Sequence, residues 1–163
     1  MERLRAPANG SRTGRDHLEQ RSRLKLLLER LPTIASILII DDKVFDADVL
    51  ATSLRQVFAY EVRITHVLTL HAIKKLPADA KPDLIFLDDR LADSVSAETS
   101  LKLIAASGYK IPIVVMSGLL TRARHIELVK LGVADVIHKD ERNAVRLAEA
   151  IIKVLSPPAI SCA

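Results

Sequence analysis

Short apolar runs alternate with amphipathic stretches along most of this chain. Residues 34–40 form such a run and close on Asp41-Asp42. A run that is apolar at nearly every position, broken here only by Ser36, belongs to a strand covered on both faces, as in a parallel sheet. Residues 43–58 then place Val44, Val49 or Leu50, Leu54, Val57 and Phe58 on one helical face. The alternation repeats down the chain. Residues 61–67 read as a strand, 69–76 as a short helix stopped by Pro77, and 83–87 as a strand ending in Asp88-Asp89. Residues 97–107 read as a helix ended by Gly108, and 111–116 as a strand ending in Ser117-Gly118. A helix over 121–131 stops at Gly132, a strand over 134–138 ends at Lys139, and a helix over 141–155 precedes Pro157-Pro158. Upstream, a helix is expected from a cap at Asp16, with Leu24, Leu27, Leu28 and Leu31 on one stripe. Pro32 ends it, because the residue before a proline is pushed out of helical geometry.

Five strand–helix units imply an α/β domain, a parallel sheet with helices on both faces. The expected organisation is a basic tail over 1–15, a helical extension over 16–32, one domain over 33–156 and a short tail over 157–163. Polar residues follow the first, third, fourth and fifth strands directly. In open α/β sheets ligands bind at the carboxyl ends of strands, beside a topological switch point, so these residues gather where a site belongs.

Composition narrows the class. An apolar fraction of 49% with 27% charged residues suits a soluble domain, and with 3% aromatics and no Trp the core must be aliphatic. No apolar run approaches the ~20 residues a bilayer requires, and no secretory signal is expected, so the chain reads as cytoplasmic with no membrane partner. Cys162 is the single cysteine, which excludes intrachain disulfides and cysteine-rich metal sites. Residues 1–30 carry eight basic and four acidic side chains, the whole of the formal charge of +4. The rest of the chain balances. The high pI therefore describes the extension, whose mixture of Arg, Pro, Gly and Ser reads as solvated disorder, and nucleic acid is not expected as a partner.

The gathered set is Asp41, Asp42, Asp88, Asp89, Ser117 and Lys139. Carboxylates crowded together repel one another, and a hard divalent cation is the usual remedy. Mg2+ prefers oxygen ligands and takes one or two carboxylates plus a phosphate. An Asp with an ordinary pKa near ~3.9 is an anion at neutral pH and attacks phosphorus without a general base. Phosphoryl transfer depends on positioning and charge stabilisation, which a metal and a lysine ammonium supply. Ser117 offers a hydroxyl to a phosphoryl oxygen, and Gly118 leaves room for the group to enter.

The segments 37–42 (ILIIDD), 83–88 (DLIFLD), 111–118 (IPIVVMSG) and 132–139 (GVADVIHK) resemble the four signature segments of bacterial two-component response-regulator receiver domains. The likeness spans about 34–155, with 46, 29 and 22 residues separating Asp42, Asp88, Ser117 and Lys139. It implies a flavodoxin-like, doubly wound five-stranded sheet of order 2-1-3-4-5, here with an extra N-terminal helix. Asp88 would be the phosphoacceptor, acting with Ser117 and Lys139. Asp41, Asp42, Asp88 and the backbone carbonyl of Arg90 would hold Mg2+. The donor would be a phosphohistidine on a sensor kinase or phosphotransfer protein. The chain would catalyse only its own phosphorylation and dephosphorylation, and so is not expected to be an enzyme. Ser117 and the position of Val136 would form the switch, biasing 121–155 between two packings.

Three positions depart from that family. Val136 stands where an aromatic residue is usual, Asp140 where a proline in a cis peptide follows the lysine, and Ala92 where a proline follows the acceptor. A non-proline cis bond costs ~3 kcal/mol, which puts the family's cis peptide in question. No DNA-binding domain is expected after residue 155, so output is expected through protein–protein contact, with a homodimer through the N-terminal helix or the 121–155 face among the candidates. The leucine stripe of that helix suits docking on its own domain or on another chain equally well. Two other classes compete with a phosphorylation switch. A docking module independent of phosphate fits the Val136 and Asp140 departures. A haloacid-dehalogenase-like phosphatase needs a DxD pattern after the first strand, where this chain has Asp41-Asp42-Lys43.

Overall fold

The computed structural model describes residues 12–77, 79–92 and 95–156. Five parallel strands form the sheet: β1 (Ser36–Ile40), β2 (Arg63–Val67), β3 (Leu84–Asp88), β6 (Ile113–Ser117) and β7 (Asp135–His138). A two-residue hairpin, β4 (Arg90–Leu91) with β5 (Val95–Ser96), lies between β3 and the next helix. The helices are α1 (Arg12–Leu28), α2 (Val44–Val57), α3 (Ala97–Ala106), α4 (Arg122–Lys130) and α5 (Ala144–Leu155). Strand order is β2-β1-β3-β6-β7, the expected 2-1-3-4-5 once the hairpin is set aside.

The apolar runs split between two layers, one side chain in two to each. Ile37 and Ile39 of β1, Leu84 and Phe86 of β3, and Ile137 of β7 face α2 and α5, joined there by Leu54, Leu147 and Ile151. Leu38, Ile40, Ile85, Leu87, Val115 and Val136 face the opposite layer with Ile104 and Leu128. This double coverage is why the strands read as continuous hydrophobic stretches. Gly108 and Gly132 end α3 and α4 at φ of 79° and 86°, a left-handed backbone that favours glycine.

The N-terminal helix docks in cis. Leu24, Leu27, Leu28 and Leu31 pack against the layer of α2 and α5, and Arg23 pairs with Glu149. The linker after it is pinned by Tyr60, whose hydroxyl donates to the Pro32 carbonyl and accepts from the Ile34 amide, both at 3.1 Å. The Tyr60 ring in turn meets Phe58 edge to face, with centroids 5.6 Å apart.

Several boundaries differ from expectation. Among the described residues α1 is already helical at Arg12, so Asp16 is not its cap and residues 12–15 are helical, not part of a tail. Arginine favours a helix, and nothing before Asp16 forces the chain out of one. Residues 1–11 and 157–163, with Cys162, lie outside the described residues. Residues 70–75 form a 3-10 turn in place of the short α-helix, because Pro77 leaves too little chain for further turns. The last helix begins at Ala144 and not at 141. Lys139–Glu141 makes its own 3-10 turn, and Asn143 caps α5 by accepting from the Arg146 amide at 3.0 Å.

Candidate functional site

Parallel register sets the strand ends level: Asp88 lies beside Met116, and Ser117 beside His138. The ladder continues one residue past β1 and β3. The Asp41 amide donates to the Val67 carbonyl at 3.2 Å, and the Asp89 amide to the Met116 carbonyl at 2.9 Å. Regular backbone therefore fixes Asp41, Asp88, Asp89 and Ser117, while Lys139 enters from the turn after β7. Asp88, Asp89, Ser117 and Lys139 border a cleft of about 610 Å³, and Asp41 lies beneath it in contact with Lys139.

Carboxylate oxygens of Asp41, Asp42 and Asp88 lie within 4.8 Å of one another. Lys139 Nζ donates to Asp41 Oδ2 at 3.0 Å and Asp46 Oδ2 at 2.8 Å, and sits 3.2 Å from Asp88 Oδ1. Burial, and then the neighbouring Asp41 charge, push the Asp88 carboxyl up to about 6, against the pull of Lys139 and a hydrogen bond from the Arg90 amide. Burial opposes the charge on Lys139, but hydrogen bonds to Asp46 and Asp41 outweigh it and raise its pKa. Asp41 is held further by the Lys43 amide at 2.9 Å, and His66 Nε2 lies 2.7 Å from its carbonyl oxygen.

Asp42 Oδ1 is buried and has no hydrogen-bond partner among the described residues. A buried, unpaired carboxylate oxygen is costly. This one borders a cluster where four carboxylates, Asp41, Asp42, Asp46 and Asp88, meet two cations, Lys139 and Arg142. An all-oxygen donor set with surplus negative charge fits a hard divalent cation such as Mg2+. Of the expected ligands, Asp41, Asp42 and Asp88 are brought together. Arg90 lines the cleft, and it is its amide that reaches Asp88.

The remaining expected residues divide. Ser117 is buried at the cleft, but its hydroxyl donates to Asp89 Oδ2 at 3.1 Å, not to Asp88. Asp89, one of the set gathered at the strand ends, is only 5% exposed and stands outside the acidic triad. Its partner is Arg124 of α4, whose Nε and Nη2 reach its two oxygens at 3.2 and 2.5 Å. Val136 is 3% exposed among aliphatic side chains and offers the site no polar tip. No peptide bond among the described residues is cis, so Lys139 and Asp140 are joined in trans.

Sequence reasoning missed Asp46, Arg142, Arg124 and Glu98. Asp46 sits in the first turn of the helix following Asp41-Asp42, a signal available in the sequence. Arg142 follows Lys139 by three residues. Nothing in the sequence connects Arg124 with Glu98, whose carboxylate it grips at 2.5 and 3.2 Å.

The family model described as "Response regulator receiver domain" matches residues 37–152. Among solved structures, a response regulator receiver protein from Pseudoalteromonas atlantica is 15% identical, with a TM-score of 0.61 over 73% of this chain and 95% of that one. The BeF3-activated N-terminal receiver domain of Klebsiella pneumoniae RstA is 22% identical, with a TM-score of 0.61 over 74% and 98%. NtrX from Brucella abortus is 25% identical, with a TM-score of 0.64 over 76% of this chain and 27% of that one. Comparison with curated proteins found no match.

Proposed function

The chain belongs to the response regulator receiver domain family, and from that membership we propose that Asp88 accepts a phosphoryl group from a phosphohistidine on a sensor kinase or phosphotransfer protein. Receiver domains of this kind imply phosphoacceptor signalling in two-component systems. The observation that carries the assignment is the position of Asp88: at the end of the central strand, within the acidic triad and 3.2 Å from Lys139 Nζ.

In the proposed reaction an Asp88 carboxylate oxygen attacks phosphorus, and the donor nitrogen leaves with the electron pair of the bond that breaks. Lys139 stands ready to neutralise the phosphoryl oxygens, at the cost of loosening its hold on Asp41 and Asp46. Ser117 donates to a phosphoryl oxygen once its hydroxyl leaves Asp89. Asp41, Asp42 and Asp88, with the Arg90 carbonyl, would hold Mg2+, which when bound offsets the carboxylate charge and that of the entering phosphoryl group. The chain acts in the cytoplasm and turns over no substrate but its own acyl phosphate. No helix among the described residues is long and apolar enough to cross a membrane.

Output passes by protein–protein contact through the 121–155 face, where Ile126, Val129 and Leu131 are exposed at or beside α4. A partner, or a second copy of the chain, docks there. A second reading, docking without phosphate, draws support from the buried aliphatic Val136 at the switch position. Its mark is equal partner binding by wild type and Asp88→Ala.

The test is intact mass after incubation with acetyl phosphate, with and without Mg2+. Wild type is expected to gain one phosphoryl group in a Mg2+-dependent manner, and Asp88→Asn none. A wild type that gains nothing under either condition sinks the proposal.

A further inference from the structure

Ser117 has one proton to donate, and in this structure Asp89 holds it. The Asp89 carboxylate is held in turn through both oxygens by the guanidinium of Arg124, which also grips both oxygens of Glu98 on α3 and reaches Glu127 at 3.2 Å. One side chain of α4 thus joins the residue beside the acceptor to the start of α3. Val136, filling the position read as the switch partner of Ser117, makes no polar link of this kind.

From this arrangement we infer that Arg124 is a positioning residue of the acceptor site: it neutralises Asp89, so that Ser117 can release that carboxylate and turn to the phosphoryl group. The inference rests on the reading of Asp88 as acceptor. Its logic is electrostatic. Asp89 is nearly inaccessible to water and adjoins Asp88 in the chain. When Ser117 leaves, Asp89 loses a donor just as negative charge is added next door. With the guanidinium in place, the carboxylate keeps two charge-assisted hydrogen bonds. Without it, a buried, uncompensated anion faces the incoming phosphoryl group and retains the Ser117 proton more strongly. The same fork anchors the first turn of α4, following the Thr121 cap that accepts from the Arg124 amide at 3.1 Å. Movement of Ser117 is thereby transmitted to α4 through an ion pair, with no aromatic rotamer required.

The test compares full-length wild type, Arg124→Gln, Asp89→Asn and the double variant, by the rate of phosphoryl gain from acetyl phosphate with Mg2+. Arg124→Gln is expected to slow the gain about tenfold, as an unscreened buried charge of this kind would. Adding Asp89→Asn should restore most of the rate, because an amide needs no counterion. A helix merely loosened by loss of Arg124 would not be rescued that way. An unchanged rate in Arg124→Gln, or a double variant no faster than Arg124→Gln, overturns the inference. Hydrogen exchange over residues 122–130 of the free proteins gives a reading independent of phosphate. Exchange should rise in Arg124→Gln and in Asp89→Asn, and no further in the double variant; additive rises overturn the inference. A wild type that takes up no phosphate defeats the proposed function, while the exchange comparison still decides whether Arg124 and Asp89 act as a pair.

Discussion

At the scale of single residues, Asp88 in its proposed role carries a conflict: an attacking carboxylate must be an anion, yet its surroundings oppose that charge. Burial first, and then Asp41, lift its pKa to about 6, and Lys139 offsets this only in part. With a folded-state pKa above the unfolded value near ~3.9, the protonated carboxyl favours the fold. That contribution is full below about pH 4 and lost as pH rises through about 6. Asp88→Asn, uncharged throughout, is therefore expected to melt above wild type at pH 7.5 in chelator, by up to ~3 kcal/mol, and level with it at pH 4. Thermal melts at the two pH values check this; a wild type as stable as the variant at pH 7.5 refutes it. Asp88 and its companions Asp41, Ser117 and Lys139 were legible in the sequence because each ends, or directly follows, a strand. Asp46 carried only the signal of its place in the helix after Asp41-Asp42, its tie to Lys139 spanning 93 positions, and Arg124 carried none, its bond to Asp89 spanning 35.

Among the elements, β7 and α5 are tied by a charge cluster that the sequence did not reveal. Asp135 is buried, and it accepts from Arg146 at 2.9 Å, Lys153 at 3.3 Å and the Val136 amide at 2.9 Å. Burial alone would raise its pKa, but the Arg146 hydrogen bond and charge outweigh burial and hold it below the ordinary carboxylate value. A depressed pKa stabilises the fold above the unfolded value near ~3.9, and that contribution is lost as pH falls through the folded pKa. Asp135→Asn should cost about 2 kcal/mol at pH 7 and flatten the acid limb of the stability profile below pH 4. Urea titrations at pH 7 and pH 3 read both effects, and parallel acid limbs in variant and wild type would count against the assignment. The strands themselves were readable because burial on both faces leaves an unbroken apolar signature. Helix ends were less so: Asn143 and Thr121 act as caps, whereas Asp16 does not. A cap is fixed by where the backbone turns, and residue type alone does not set that.

For the molecule as a whole, the open question was what the leucine stripe of α1 covers. The structure answers it within one chain: α1 lies on α5, and Leu24, Leu27 and Leu28 extend the core on that side. The Asp88 cleft lies at the strand ends, and α1 supplies none of its lining. Leu27→Asp is thus expected to lower stability by about 2 kcal/mol, the scale of one partly buried leucine, while leaving phosphoryl gain at Asp88 unchanged. Melting and intact mass on the same sample test this. A variant with undiminished stability would place the stripe against something other than its own domain.

The clasp that Tyr60 makes on the linker has an optical consequence. The chain has two tyrosines and no tryptophan, so its near-ultraviolet emission comes from Tyr60 and Tyr109 alone. Tyr60 reports from the joint between α1 and β1, while Tyr109 packs against the opposite layer. Release of the helix would free the Tyr60 phenol from its backbone partners and leave Tyr109 as an internal reference. Undocking of α1 is therefore open to direct observation by intrinsic fluorescence, without a label.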